Sequence, residues 1–187
     1  MLKTYISFVR AYISETGEDD SYRERTLELL HATAHPFSRK QYAPGHITVS
    51  AVVFNPAASS VVIIWHHRLQ RWLQPGGHVE DHEGPFVAAA RETEEETGIP
   101  QSYLHAVGDG LVDIDIHRIP ESQREPSHEH FDLRVAFVSE ANLLKPGTDA
   151  ADASWHSLSC EEPKRRLDAS TDRAISRGRI AYHRTRL

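Results

Sequence analysis

Cysteine is almost absent from this chain: Cys160 is the single one among 187 residues. One thiol cannot form an internal disulfide, and it excludes a zinc site built from several cysteines. This usage is typical of a reducing compartment, so we expect a cytoplasmic protein.

Long apolar runs and an excess of basic residues are also lacking. No run approaches the roughly 20 apolar residues that span a bilayer, and the N-terminal MLKTYISFVRAYISE has no small-residue cleavage site. We therefore expect neither a membrane partner nor a signal peptide. The 21 Lys and Arg residues are outnumbered by 27 Asp and Glu, a net charge of -6, which argues against binding of a nucleic acid polymer. A small phosphorylated molecule in a local basic pocket remains compatible with this charge.

A chain of 187 residues, 39% of them hydrophobic, has material for one domain and a modest extension. Residues 3–15 carry apolar side chains at helical spacing, and Ser21 with Glu24 forms the capping-box signature of a second helix. We therefore expect a helical N-terminal extension, residues 1–44, before a main domain over residues 45–187. Three roles are open to the extension: packing on the main domain, closing over a substrate site, or forming the contact of a homodimer.

The rest of the chain alternates between strand and helix patterns. β-rich runs, a helix that starts near Pro85, more strands and a last helix predict an α+β fold with a mixed sheet between helices. The predicted strands cover residues 46–54, 60–67, 71–74, 106–118, 128–139 and 153–158, and the predicted helices cover residues 85–97 and 161–177.

The most informative stretch is residues 77–99, where Glu92, Glu95 and Glu96 follow a Gly-Gly pair. On a helix these positions are i, i+3 and i+4, so the three carboxylates share one face. Like charges this close destabilise a helix by roughly 0.2–0.5 kcal/mol per pair, unless divalent cations neutralise them. Oxygen ligands of this kind favour Mg2+ or Mn2+ over zinc. The alternative is a solvated acidic helix face.

Residues around these glutamates resemble the Nudix box, G-x5-E-x7-R-E-U-x-E-E-x-G-U, where U is apolar. Gly77, Glu83, Arg91 and Gly98 stand at its fixed offsets. One position departs from the pattern, since Thr93 replaces an apolar residue. Threonine keeps a methyl group for packing, so we expect a small loss of core contact and no loss of chemistry.

The resemblance implies a Nudix-type α/β/α sandwich and a divalent-metal-dependent enzyme. Such an enzyme hydrolyses a pyrophosphate linkage in a nucleoside diphosphate derivative or a related phosphorylated small molecule. The resemblance also makes Glu92, Glu95 and Glu96 catalytic metal ligands together with the carbonyl of Gly76, and it has Arg91 hold a carboxylate, that of Glu92 first. The box residues with structural roles are Gly77, Glu83 and Gly98.

Substrate contacts are expected outside the box. Arg68, Arg71 and Trp72 precede the glycines, and Arg39 and Lys40 lie in the N-terminal loop. An arginine binds phosphate through two hydrogen bonds, and an aromatic ring stacks on a base. The alternatives are a core position for Trp72 and plain solvation for the basic residues. The substrate is left open among nucleotide sugars, ADP-ribose, dinucleoside polyphosphates, nucleoside triphosphates and coenzyme derivatives.

Strict alternation puts polar side chains on one face of two neighbouring strands, residues 112–118 and 128–137. Imidazole nitrogens with nearby carboxylates favour a second, transition-metal site. The alternatives are a hydrogen-bonded polar face that lines the substrate cleft and an incidental polar surface. A symmetric hairpin register sets His117 against His128, Asp115 against His130 and Asp113 against Asp132. The candidate ligands of the second site are His117, His128, His130 and Asp132, and His66, His67, His78 and His82 lie in segments that approach this region.

Two other classes of protein share the Nudix fold. A non-catalytic ligand sensor often has a degenerate box, whereas this box keeps Arg91 and the three glutamates. An isopentenyl-diphosphate-isomerase-like enzyme combines the fold with a histidine-rich metal site. That enzyme needs a cysteine near the start of the fold, and Cys160 lies beyond the predicted sheet.

Overall fold

A computed structural model of the chain describes residues 1–67, 69–147, 150–159 and 167–186. Within these ranges the chain forms four α-helices and eight β-strands. The helices are α1 (Leu2–Ala11), α2 (Gly17–Ala32), α3 (Pro85–Thr97) and α4 (Ala169–Arg184). The strands are β1 (Gly45–Phe54), β2 (Ser60–His66), β3 (Arg71–Leu73), β4 (Gly76–His78), β5 (His105–Ala106), β6 (Asp113–Ile119), β7 (His128–Val138) and β8 (Ala150–Ser157).

The strands form one mixed sheet with β1 at its centre. Strand β1 runs parallel to β7, from Gly45 opposite Glu129 to Phe54 opposite Val138. Its pairings with β2 and β4 are antiparallel, as is the pairing of β6 with β7. Every residue of β1 is buried, as expected for a strand that helices cover on both faces.

Helices lie on both faces of this sheet. Ile47 and Val49 point into a core that α1, α2 and α3 share, whereas Val52 and Phe54 point into a second core with α4. The face on the α4 side changes from polar to apolar along β1, because His46, Thr48 and Ser50 precede Val52 and Phe54 on that face. The predicted α+β sandwich with a helical N-terminal region is confirmed.

The hairpin of β6 and β7 differs from the predicted register by two residues. His117 pairs with His130, Asp115 with Asp132 and Asp113 with Arg134. A shift of two keeps every side chain on its predicted face, because side chains alternate with a period of two. The physical reason is the position of Arg134. In the observed register its guanidinium lies opposite Asp113, 3.0 Å away, and also contacts Asp115 and Asp132, so it offsets the repulsion of that aspartate pair.

Two element boundaries in the second half also differ from the predictions. The predicted strand 106–118 is interrupted between Ala106 and Asp113, where Gly108 adopts a φ of 71°. The last helix begins later than predicted, with Asp168 as its N-cap, accepting a hydrogen bond from the backbone of Thr171. Residues 161–166 of the predicted helix lie outside the described residues, as does Cys160.

The N-terminal helices begin and end at residues other than those predicted. Helix α1 ends at Ala11 because Tyr12 takes an extended conformation. Thr16, and not Ser21, caps α2, in a capping box with the Asp19 side chain. The domain division at residue 44 and the homodimer contact stay predictions. None of the described helices is long and apolar enough to cross a membrane.

Asp19 joins α2 to α4 and makes stability depend on pH. Its carboxylate caps the backbone at Glu15 and Thr16 and binds Arg177 at 2.6 Å. Burial alone would raise the pKa of Asp19, but the bonds from Arg177 and from the backbone of Glu15 outweigh burial and lower it. A depressed folded-state pKa adds stability that is present above the unfolded value of about 3.9 and is lost as pH falls through the folded value.

We expect Asp19→Asn to lower the free energy of unfolding by about 2 kcal/mol at pH 7, because it removes charge-assisted bonds and a cap. The difference from the wild type should shrink in urea titrations below about pH 4, where the wild type loses the same charge. Asp20→Asn, at the neighbouring and more exposed carboxylate, is the matched control and should change stability by less. A deficit of Asp19→Asn that is unchanged in acid would contradict this account.

Candidate active site

Helix α3 carries the three candidate ligand glutamates and buries two of them against the sheet. The helix starts at Pro85 and ends at Gly98, whose φ of 72° suits a glycine C-cap. Glu92 and Glu96, four residues apart, are 8% and 6% exposed. The Glu95 side chain is 56% exposed. The helix therefore presents two buried carboxylates and one that solvent reaches.

Strand β4 meets these carboxylates through its glycines. The backbone N–H of Gly76 donates to Glu96 Oε2 at 2.9 Å. A Cβ atom at Gly77 would lie 2.5 Å from Glu92 Oε2, and one at Gly76 would lie 2.4 Å from Ser50 Cβ. A side chain at Gly76 would clash with the backbone of β1, whereas one at Gly77 would displace the carboxylate of Glu92. Glycine is needed at Gly76 because β4 is packed directly against β1.

Arg91 holds the glutamates in place. Its guanidinium binds Glu83 through Nε at 2.8 Å and Nη2 at 3.0 Å, and it binds Glu92 at 2.9 Å and Glu95 at 3.2 Å through Nη1. Nη2 also donates to the carbonyl of His78 at 2.8 Å. The predicted pairing with Glu92 is therefore one of several contacts.

The carboxylates around Arg91 differ in electrostatic environment. Hydrogen bonds from Arg91 lower the pKa of Glu83, which also accepts from the backbone of Glu80 and so fixes the loop before α3. Burial raises the pKa of Glu92, and the contact with Arg91 offsets this only in part. Glu92 is thus a buried carboxyl group whose ionised form a further cation would stabilise.

Thr93, the one departure from the box pattern, is fully buried. Its hydroxyl donates to the carbonyl of Ala89 at 2.7 Å, a local bond that satisfies the polar atom within the helix. The substitution therefore leaves no unsatisfied group in the core and does not alter the carboxylate face.

Comparison with known proteins decides the family. A family model described as the NUDIX domain matches residues 44–177. The chain belongs to the Nudix family. A relative of Lactococcus lactis subsp. cremoris (strain MG1363), a probable DHNTP pyrophosphohydrolase, is 31% identical over 127 residues, which are 67% of this chain and 73% of the relative. The prediction of a Nudix pyrophosphohydrolase is confirmed, and its reaction is the hydrolysis of a pyrophosphate linkage.

Other similar proteins agree with the family and the fold. The CMP-5'-(N-acetyl-N-hydroxy-3-aminopropyl)phosphonate hydrolase of Streptomyces rubellomurinus (strain ATCC 31215) is 37% identical over 92 residues, which are 44% of this chain and 42% of that protein. The structure of the E. coli dihydroneopterin triphosphate pyrophosphohydrolase is 16% identical, with a TM-score of 0.51, over 72% of this chain and 94% of that one. A C. elegans Ap4A hydrolase is 15% identical, with a TM-score of 0.51, over 72% and 95%. At these identities the two structures show the fold alone.

The residues predicted for substrate binding contact other parts of the protein where the structure describes them. Arg71 forms an ion pair with Asp168 at 3.1 Å, and Trp72 packs edge-on against Trp65 at 5.5 Å between ring centroids. Arg68 lies outside the described residues. In this structure Arg71 and Trp72 therefore both contact other residues of the protein.

Arg39, in the N-terminal loop, is exposed and has a small electrostatic effect on the Nudix box. Its charge lowers the pKa of Glu92, after the larger effects of burial, Arg91 and Glu95, and it also lowers the pKa of His46, after the larger effect of burial. The loop therefore places a positive charge near both the carboxylates and the polar end of β1.

The polar strand face holds a histidine cluster whose membership differs from the predicted second site. The closest ring nitrogens belong to His46, His78 and His130, all within 4.8 Å of one another. His117 and His128 flank His130, with ring centroids 5.5 and 5.2 Å away. His46 was absent from the sequence prediction, and parallel pairing of β1 with β7 places it opposite His130.

Asp132, the fourth predicted ligand, faces other partners. Its carboxylate accepts hydrogen bonds from Thr48 at 3.2 Å, Ser50 at 2.7 Å and Arg134 at 2.9 Å. The part of the polar face around Asp132 is therefore a hydrogen-bonded network, as the alternative reading of this face predicted.

Proposed function

We propose that this Nudix enzyme uses Mg2+ or Mn2+ to hydrolyse the pyrophosphate linkage of a nucleoside diphosphate derivative or a related phosphorylated small molecule. The observation that carries the proposal is the contact of β4 with α3, in which Gly76 and Gly77 lie against Glu96 and Glu92. Divalent metals are general in the family, and these oxygen ligands suit a hard cation.

The charge around Arg91 supports a divalent cation at this place. Its one guanidinium contacts Glu83, Glu92 and Glu95, and Glu96 adds a fourth carboxylate. Four carboxylates against one guanidinium leave a formal charge of about -3, in a region where burial makes unpaired charge costly. The proposed ligands are Glu92, Glu95, Glu96 and the carbonyl of Gly76.

A cation bound there supplies Lewis-acid stabilisation of negative charge on the phosphate oxygens. The protein's own residues hold the proposed ligands in position. Arg91 keeps Glu92 and Glu95 on one side of the helix, and the N–H of Gly76 fixes the carboxylate of Glu96. Pre-set ligands need no reorganisation as charge develops in the transition state.

Arg39 is the proposed phosphate-binding residue of the N-terminal loop. We expect Arg39→Gln to raise KM for an anionic substrate about tenfold and to change kcat less, since an exposed charge acts mainly in binding. Steady-state kinetics in low salt measure the effect, and Lys40→Gln is the neighbouring control. An unchanged KM in Arg39→Gln would exclude this role.

Product analysis over a substrate panel tests the proposed function. The panel contains nucleoside triphosphates, nucleotide sugars, ADP-ribose, dinucleoside polyphosphates, a CMP-linked phosphonate and DHNTP, the last two because of the names of the relatives. Each compound is incubated with Mg2+, with Mn2+ or with EDTA. We expect a nucleotide or monophosphate product from at least one compound, and EDTA should abolish its release. Turnover that EDTA leaves unchanged would overturn the metal dependence, and no turnover on any compound would overturn the substrate class.

A further inference from the structure

We propose that His46, His78 and His130 form a transition-metal site, separate from the glutamates of the Nudix box. The three side chains come from β1, β4 and β7 and meet on the sheet face opposite α3. Each offers a ring nitrogen, and the three nitrogens lie within 4.8 Å of one another. The inference concerns a different ligand set from the proposed function and does not depend on it.

Hydrogen bonds orient the histidine nitrogens as a metal site requires. His46 Nδ1 lies 3.0 Å from the carbonyl of Gln41, and a carbonyl only accepts, so Nδ1 carries the proton. The lone pair of neutral His46 is then on Nε2, which points at the other histidines. A backbone carbonyl behind a ligating imidazole is a common outer partner in metal sites, where it fixes both tautomer and ring orientation.

The flanking histidines are oriented in the same way. His128 Nδ1 lies 2.8 Å from the carbonyl of Pro126, and His117 Nδ1 lies 3.0 Å from the carboxylate of Asp115. In both residues Nδ1 is therefore the donor and Nε2 of the neutral ring is the acceptor. Three of the five imidazoles on this sheet face thus share one orientation, and the five form a nitrogen-rich surface around His130.

The contact between His46 and His78 shows that ring nitrogens of the cluster face one another. Their Nε2 atoms are 3.1 Å apart, so either the Nε2–H of a neutral His78 donates to the lone pair of His46 or a metal ion accepts both lone pairs. A nitrogen of His130 lies within 4.8 Å of both, so a metal ion can use three lone pairs here, whereas a hydrogen bond joins only two rings. Zn–N bonds of about 2.0–2.1 Å set tetrahedral ligands roughly 3.4 Å apart, so small side-chain rotations close this group around one ion.

The chemistry of the ligands selects the metal. Imidazole nitrogens suit zinc, iron, nickel or copper, whereas the carboxylates on α3 suit Mg2+ or Mn2+. We assign zinc first, because a set of three histidines leaves one position of a tetrahedral ion for water or a ligand oxygen. Strand β4 would then contact two ions, through Gly76 on the carboxylate side and through His78 on the histidine side.

Metal analysis of protein purified without a tag or a metal column tests the site. We expect about one zinc per chain in the wild type. His78→Gln and His130→Gln should bind zinc at least tenfold more weakly. The controls are His35→Gln, at an exposed histidine in the N-terminal loop, and Glu96→Gln in the Nudix box. Both should keep their zinc. Loss of zinc in Glu96→Gln together with its retention in His130→Gln would overturn the proposal.

The visible spectrum of the Co2+ form keeps the test independent of how the variants fold. Wild-type protein stripped of metal and loaded with one equivalent of Co2+ should give the intense bands of a four-coordinate, nitrogen-rich ion. A weak spectrum typical of six oxygen ligands, or no bound Co2+ at all, would overturn the site. Neither readout requires a known substrate.

Discussion

Glu96→Gln should lower kcat by at least about 100-fold while leaving the fold intact, because it removes one charged ligand from the cation site proposed above. Glutamine keeps the size of the side chain and an amide oxygen that can accept the hydrogen bond from Gly76 N–H. The position of β4 is therefore preserved, and the loss reports charge. Steady-state kinetics with Mg2+, together with circular dichroism of the folded variant, measure the two effects separately.

Glu94→Gln is the matched control, since it makes the same chemical change on the same helix. Glu94 accepts a hydrogen bond from Gln101 at 2.8 Å and is outside the set of glutamates that contact Arg91 or β4. We expect its kcat to stay within about twofold of the wild type, as for most surface substitutions. Equal losses in Glu94→Gln and Glu96→Gln would point to general helix damage, and full activity in Glu96→Gln would refute its role as a ligand.

The Nudix box could be predicted from the sequence because its geometry is local. Glu92, Glu95 and Glu96 share a face of one helix at any tertiary arrangement, and Gly98 marks the helix end by its own conformational freedom. The sequence does not show how deeply each of these carboxylates is buried. Glu92 and Glu96 are buried while Glu95 is exposed, and this difference arises only when β4 packs on α3.

The histidine cluster could be predicted only in part, for a related reason. Alternation along β7 correctly placed His128 and His130 on one face. His46 lies 84 residues before His130, and it joins the cluster through parallel pairing of β1 with β7. Parallel strands are joined by long connections, so no local pattern reveals which residues face each other. The predicted hairpin register was wrong because it rested on the symmetry of the loop and ignored the contacts that Arg134 makes with the aspartates of both strands.

Arg134 is the residue whose loss should most destabilise the fold. Its side chain is 3% exposed and contacts three aspartates, Asp113 at 3.0 Å, Asp132 at 2.9 Å and Asp115 at 3.3 Å. It also donates to the carbonyl of Ser170 at the start of α4. One guanidinium thus joins β6, β7 and α4 and neutralises carboxylates that have little access to water.

Arg134→Met should lower the free energy of unfolding by about 3–5 kcal/mol, because it keeps much of the side-chain volume but leaves the buried Asp132 without a cation and removes one of the cations that contact Asp113 and Asp115. Such a loss is a large part of the stability of a typical domain, which is about 5–15 kcal/mol. Urea denaturation followed by circular dichroism measures it. Arg25→Met, which breaks a half-exposed ion pair with Glu129, is the control and should cost less than about 1 kcal/mol.

The pH dependence separates lost charge from lost packing in Arg134→Met. Burial tends to raise the pKa of Asp115, yet hydrogen bonds from His117 and the charge of Arg134 outweigh it and lower the value. Because the pKa of Asp115 is lowered in the folded state, its charge stabilises the wild type above the unfolded-state pKa. This stabilisation is lost as the pH falls through the folded-state pKa. Without Arg134 the carboxylates take up protons more readily, so the deficit should shrink in acid. A deficit that does not shrink as the pH falls below about 4 would mean that Arg134 acts through its volume and not through its charge.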